Sequence, residues 1–236
     1  MRAGIIQSCY IPWRGYFDFI NEVDLFIFHD DLQYTKGDWR NRNKIKTPNG
    51  LIWLTVPVKY KETSQLICKT EIDYSHKWQA EQINRFKNSY IKSPFFKDAL
   101  KLLEEGLSYA DSTISQLNIR LIKLICVYLQ ITTPLAMSID YAVTGAKTDR
   151  LINLLKKVGA TMYLSGPSAK GYLDENLFRE NGISLEYKTY DYPPYSQLWG
   201  EFVGTVSVLD LIANCGPRSR EFLKSLTPNI VSVSVK

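Results

Sequence analysis

Histidine is almost missing from this chain: His29 and His76 are the two in 236 residues. A Ser-His-Asp triad or a His-based zinc centre would have to use one of them. Neither stands in a G-x-S-x-G or HExxH setting. Cysteine is equally sparse. Cys9, Cys68, Cys126 and Cys215 are scattered and form no CxxC pair, so neither a disulfide framework nor a zinc site is expected. No metal site is assigned. The GxxxxGK[ST] order of a P-loop and the GxGxxG dinucleotide fingerprint do not occur. No apolar run is long enough to span a bilayer, and the opening MRAGIIQSCYIPW is too short in apolar residues for a signal peptide. The expectation is a cytoplasmic protein with reduced thiols. No internal repeat and no low-complexity tract is visible.

What is present suits one α/β domain over 1–236. Hydrophobic residues make up 45%, enough for a sizeable core, and the 15 tyrosines supply rings that both pack and hydrogen-bond. The net charge of +5 favours anionic ligands but falls short of a protein that coats nucleic acid.

The most informative stretch is 37–58, GDWRNRNKIKTPNGLIWLTVPV. Pro48-Asn49-Gly50 is a turn signal between two strand-like runs, which predicts a basic β-hairpin. Strand side chains alternate, so Arg40, Arg42, Lys44 and Lys46 are expected on one face. Trp39, Asn41, Asn43 and Ile45 are expected on the other. Four like charges on one face repel, and folding gives no reason to collect them. An anion site explains them; the alternative is a solvated edge that resists aggregation.

Around the hairpin the pattern is α/β. Ala3–Ile6 reads as a buried strand, a Pro- and Gly-broken loop follows, a helical spacing ends near Glu22, and 23–28 reads as a second buried strand. That is the opening of a βαβ unit and implies a mainly parallel, Rossmann-like sheet. Ligands collect beyond the carboxyl ends of such strands, where Gln7, Tyr10, Asp30, Asp31 and Gln33 fall. A further strand is expected over 66–72. A helical block is inserted at about 75–130: one helix over 75–90, a second with Ser93-Pro94 in its first turn and Gly106 at its end, a third over 114–129. Strands at 135–139, 161–164 and 183–187, helices at 147–158 and 206–213, and a tail or edge strand at the end complete the pattern.

Three groups of residues carry candidate chemistry. Asp30 and Asp31, with His29, could bind a metal, serve as a general base, or hold an amine or sugar hydroxyls; the alternative is capping and pairing with the hairpin cations. Ser165-Gly166 leads from a strand toward an expected helix N-terminus, whose N–H groups suit an anion; the alternative is a well-capped turn. Lys147 and Arg150 flank Asp149 in a first helical turn, where cations are unfavourable, which hints at an anionic partner. The tyrosines of 187–195, including Tyr195, could stack on a sugar or base, or simply pack.

These residues together resemble the WbqC-like proteins of bacterial surface-polysaccharide gene clusters. The likeness rests on Gln7 with Tyr10, Pro12 and Gly15-Tyr16, on 23–26 running into Asp30-Asp31-Leu32-Gln33-Tyr34, and on Lys36. It continues through Trp39-Arg40-Asn41-Arg42-Asn43-Lys44-Ile45-Lys46 and 53–58, and spans nearly the whole chain. Later matches are Lys147, Asp149-Arg150, 163–166, Tyr172-Leu173, Tyr195 with Gln197, and 207–210. Ser8-Cys9 stands where a Pro is expected after the Gln, and Gln82 where a His is expected. The resemblance implies a cytoplasmic role in O-antigen (lipopolysaccharide) or related glycan assembly. It suggests a transferase that N-acylates, for example glycylates, a nucleotide-linked amino sugar. Arg40, Arg42, Lys44 and Lys46 would then hold the diphosphate, and Asp30 or Asp31 would take the amine's proton. It names no cofactor.

Two other readings remain. Gln7–Tyr16 is loosely similar to the ATP-binding turn of HIGH-type nucleotidyl transferases, without their histidines, and would permit ATP-dependent adenylation. An RNA- or tRNA-binding module, or another non-catalytic role, would use the basic hairpin with Trp39 and Trp53. The modest charge argues against RNA, and the remaining partner is a nucleotide-linked sugar or another phosphate-bearing small molecule.

Overall fold

The first strand, β1 (Arg2–Ile6), lies at the centre of a sheet whose other strands flank it on both sides. Its alternation places Ala3 and Ile5 in one core and turns Ile6 toward the other. Gly4 is required here. A Cβ would lie 2.4 Å from the ring of Phe19 on helix α1 (Arg14–Asn21), so the absent side chain lets α1 settle on the strand. The computed structural model describes residues 1–235.

Strand β2 (Leu25–Phe28) runs parallel to β1, with Gly4 opposite Phe26. The chain then leaves the sheet for the hairpin β3 (Arg42–Thr47) and β4 (Gly50–Thr55), a separate two-stranded sheet with Lys44 opposite Trp53. Gly50 takes a φ of +101°, a conformation few other residues adopt, and closes the turn. Helices α2 (Trp78–Tyr90), α3 (Phe96–Leu107) and α4 (Ile114–Tyr128) follow. A reciprocal capping box between Thr113 and Gln116 starts α4. Their apolar faces merge with α1 and the hairpin into one core that includes Phe17, Phe26, Ile45 and Leu121.

The chain re-enters the sheet at β5 (Leu135–Met137), beside β2, and crosses through α5 (Lys147–Lys157) to β6 (Met162–Ser165) on the far side of β1. Helix α6 (Glu175–Glu180) leads to β7 (Ser184–Tyr187), α7 (Val208–Cys215) packs on α3, and β8 (Ile230–Val233) closes the edge. The order is β5-β2-β1-β6-β7-β8, parallel except for β8. A second core under α5 and α6 covers the other face, giving a three-layer α/β architecture with a mainly parallel sheet.

Three expectations need correction. Residues 66–72 form no strand: a 3₁₀ turn occupies Ile67–Lys69, and isolated bridges tie Leu66 to Gln33, Glu71 to Thr113 and Ile72 to Val58. Pro94 precedes α3 rather than sitting in its first turn. Gly106 lies within α3 and serves close packing, since a Cβ there would meet Leu121 Cδ2 at 2.0 Å.

Candidate functional site

The sheet changes winding direction at β1. From β1 the chain moves outward to β2 and β5, then returns to β6 on the other side, so the loops after β1 and β6 diverge. A crevice opens there, at the switch point where α/β sheets bind ligands. A polar cavity of about 300 Å³ occupies it, lined by Gln7, Arg40, Ser165, Gly166, Tyr163 and Tyr172 among others. An apolar cavity of about 240 Å³ adjoins it, lined by Cys9, Pro12, Trp13, Tyr16, Trp39, Asn43 and Thr205. Trp13 and Tyr16 belong to both walls.

Arg40 shapes the floor. It stands outside β3, and its Nη1 donates to the Gln7 and Ser8 carbonyls at 3.2 Å each and to Cys9 Sγ at 2.9 Å. Its Nε lies 3.6 Å from Asp38, and its side chain is 14% exposed. Burial works against the Arg40 charge, but Cys9 and Asp38 outweigh it and raise its pKa. Burial pushes the Cys9 thiol up, and neighbouring Arg40 only partly offsets this, so Cys9 stays protonated near neutrality. Tyr16 donates to the Gln7 carbonyl at 3.1 Å, and burial holds its phenol well above the ordinary value. Gln7 is half-buried at the cavity wall, and no hydrogen bond holds its side-chain amide among the described residues. Trp13 is braced edge-on by Tyr190 and Tyr192, with ring centroids at 5.1 and 5.7 Å.

On the β6 side, Ser165 ends the strand and Gly166 faces open space. The expected helix N-terminus is absent: Pro167–Gly171 is a short 3₁₀ turn, so the crevice gains no macrodipole from it. Tyr172, 69% exposed, stands at the rim.

The acidic pair lies behind this wall. Asp30 is buried and accepts the Ser8 N–H at 2.7 Å and the Ser115 hydroxyl at 2.5 Å, which fixes the end of β1. Asp31 accepts from Ser138 and pairs with Arg150, bringing two candidate groups together. His29 Nε2 is 3.7 Å from Asp31, buried and without a hydrogen bond. Burial lowers the His29 pKa and Arg150 adds to that, while Asp31 opposes it. Of the neighbours of Arg150, Lys147 and Asp149 are exposed on the first turn of α5.

The remaining candidates separate into packing and surface. Tyr10 is buried, its hydroxyl donating to Gln82 at 2.6 Å. Tyr34 is buried and its phenol pushed up to about 12 by desolvation. Gln33 and Lys36 are exposed, the latter over the Tyr60 ring at 5.8 Å. Tyr195 and Gln197 hold the buried carboxylate of Asp210 at 2.7 Å each, together with Tyr90. Lys46 is buried with this group, bonded to Gln197 and to the Glu201 carbonyl. The expected row of four cations is therefore shorter. Arg42 and Lys44 share the outer face over Trp53, Arg40 turns to the crevice, and the chain around 197–201 covers Lys46. Asn43, on the opposite face as expected, donates to the Tyr10 and Ile11 carbonyls.

Sequence reasoning missed Cys9, Trp13 and Tyr163, whereas Tyr190, one of the tyrosines of 187–195 offered for stacking, does line the polar cavity. For Cys9 and Trp13 a signal existed, since both lie in the loop directly after β1. Tyr163 reaches the crevice only through the placing of β6 beside β1.

The profile of the WbqC-like protein family matches residues 7–222. An uncharacterized protein of Mycobacterium tuberculosis, Rv1507c, is 46% identical over 226 residues, covering 94% of this chain and 97% of that protein. No solved structure matches. The family match runs from the Gln7 crevice loop, directly after β1, to Phe222, beyond the Asp210 network. The chain belongs to the WbqC-like protein family.

Proposed function

We propose that this protein is a cytoplasmic transferase of surface-glycan assembly that N-acylates an amino sugar carried on a nucleotide, with the reacting groups meeting in the β1/β6 crevice. The observation that carries the reading is the pairing of the two cavities across Trp13 and Tyr16. The polar one offers Gln7, Arg40 and Ser165 to hydroxyls and a developing negative charge, and the apolar one offers room for an acyl group. In the reaction the neutral amine attacks the acyl carbonyl of an activated donor. A C–N bond forms, the bond to the leaving group breaks, and the nitrogen's proton ends on the leaving group. With such a donor the protein's task is to position and to stabilise the oxyanion, for which Arg40 is the cation lining the crevice. Asp30, committed to Ser8 and Ser115, acts as a positioning residue for the end of β1.

The test is mass spectrometry of nucleotide-linked amino sugars incubated with the protein and a panel of donors: acyl thioesters, aminoacyl-tRNA, and free amino acids with ATP. A product heavier by one acyl group, lost in Gln7→Ala and Arg40→Met while the fold persists, is expected. No amide product with any donor overturns the reading. A second reading is favoured by one observation: neither a carboxylate nor an imidazole lines either cavity. The crevice would then hold a glycan precursor without changing it, and binding without turnover under all donors would select this reading.

A further inference from the structure

The outer face of the hairpin holds two cations that the fold leaves uncompensated. Arg42 and Lys44 stand on the same side of β3, and both charged groups lie over the Trp53 indole, 4.3 and 4.8 Å from its centroid. Among the described residues neither reaches a carboxylate; the nearest acid in sequence, Asp38, turns to Arg40. Two positive groups over one ring repel, and the indole's attraction is shared between them. The arrangement is also held in place. Gly37, at φ +72°, brings its loop so close that a Cβ would lie 3.5 Å from the Arg42 guanidinium. Trp39 links this face to the crevice. Its ring lies 5.4 Å from that of Trp53, it lines the apolar cavity, and it is 42% exposed. A large exposed indole between a cation pair and a cavity fits a ligand with a flat or ring-shaped part next to two negative charges.

We propose that Arg42 and Lys44 bind the diphosphate of a nucleoside-diphosphate sugar, and that Trp39 stacks on the attached sugar as it passes into the crevice. The diphosphate relieves the repulsion between the two cations, and Arg42 offers a planar fork suited to phosphate oxygens. This deepens the transferase reading and rests on it for the sugar, while the diphosphate contact stands on its own.

The experiment is calorimetric titration of the full chain with uridine, thymidine and guanosine diphosphates, repeated with Arg42→Gln and Lys44→Gln. Melting temperature serves as the fold check, since both side chains lie on an outer face. At least one diphosphate should bind, and each variant should weaken it by about tenfold, the loss of one charge-assisted contact. Trp39→Ala should weaken the matching nucleotide sugar more than the bare diphosphate. No binding of any diphosphate, or equal affinity in the variants, overturns the subsite. So does binding of single-stranded RNA alone, tightening with length and falling steeply with salt. Diphosphate binding that depends on Arg42 and Lys44, with no acylated product, would keep the subsite and remove the transferase. Acylation with an unchanged KM in both variants would do the reverse.

Discussion

The Arg40 guanidinium touches the Cys9 sulfur at 2.9 Å while donating to the two carbonyls before it, so one cation both ties down the end of β1 and sits beside a buried thiol. Two effects of removing it follow. Arg40→Met leaves the Ser8 carbonyl short of a donor and the Gln7 carbonyl with Tyr16 alone, and should cost about 1–3 kcal/mol, read by denaturant unfolding. It also removes the charge that restrains the Cys9 pKa against burial. Alkylation of Cys9 near pH 8, followed by peptide mass spectrometry, should therefore slow in the variant. Faster labelling would mean that the guanidinium shields the thiol rather than activating it.

Asp210 gives a pH dependence of definite sign. Burial raises its pKa above 3.8, against the hydrogen bonds from Tyr90, Tyr195 and Gln197. The folded state thus holds this proton more tightly than the unfolded chain. As pH rises from about the ordinary Asp value toward the raised one, this group's contribution to stability falls. Asp210→Asn cannot titrate. Its melting temperature relative to wild type should climb with pH across that window and then level off. A constant difference across the window would show that Asp210 ionises normally in the fold.

The hairpin and the βαβ opening were readable from sequence because local signals and tertiary outcome agree there. Asn49-Gly50 turns the chain, and 51–56 needs a buried face. The rest was hidden for specific reasons. Alternation put Arg40 and Lys46 with Arg42 and Lys44, but β3 begins only at Arg42, and the chain around 197–201 covers Lys46 from 151 residues away. Residues 66–72 look like a strand, yet both flanks are occupied by isolated bridges to the hairpin approach and to Thr113, so a 3₁₀ turn is what fits. The crevice itself depends on the return of β6 to the side of β1, a fact of topology that no local pattern encodes.

His29 should report on the Asp31–Arg150 pair. Its lowered pKa means that the unfolded chain takes up a proton near pH 6.5 that the folded state resists, so this group costs stability as pH falls through that value. Arg150 is one of the causes of the lowering. In Arg150→Ala the His29 resonance should titrate at higher pH than in wild type, as followed by proton NMR. An unchanged midpoint would show that Arg150 takes no part in lowering the His29 pKa.

Gly106 offers the sharpest test of packing in the helical block. By intrinsic propensity Gly106→Ala should stabilise α3 by about 0.5–1 kcal/mol. The structure predicts the opposite sign. The new methyl would overlap Leu121 Cδ2, 2.0 Å away, and Leu121 is fully buried, so it has to shift within the core to make room. Overpacking of this kind costs about 1–3 kcal/mol and should outweigh the propensity gain. Denaturant unfolding of the single variant measures the net loss. The double variant with Leu121→Ala tests its origin, because trimming Leu121 opens a cavity that the methyl added at position 106 then partly fills. The double should therefore be more stable than the sum of the two single losses. Strict additivity would place the cost of Gly106→Ala elsewhere in the helix, away from the α3–α4 contact.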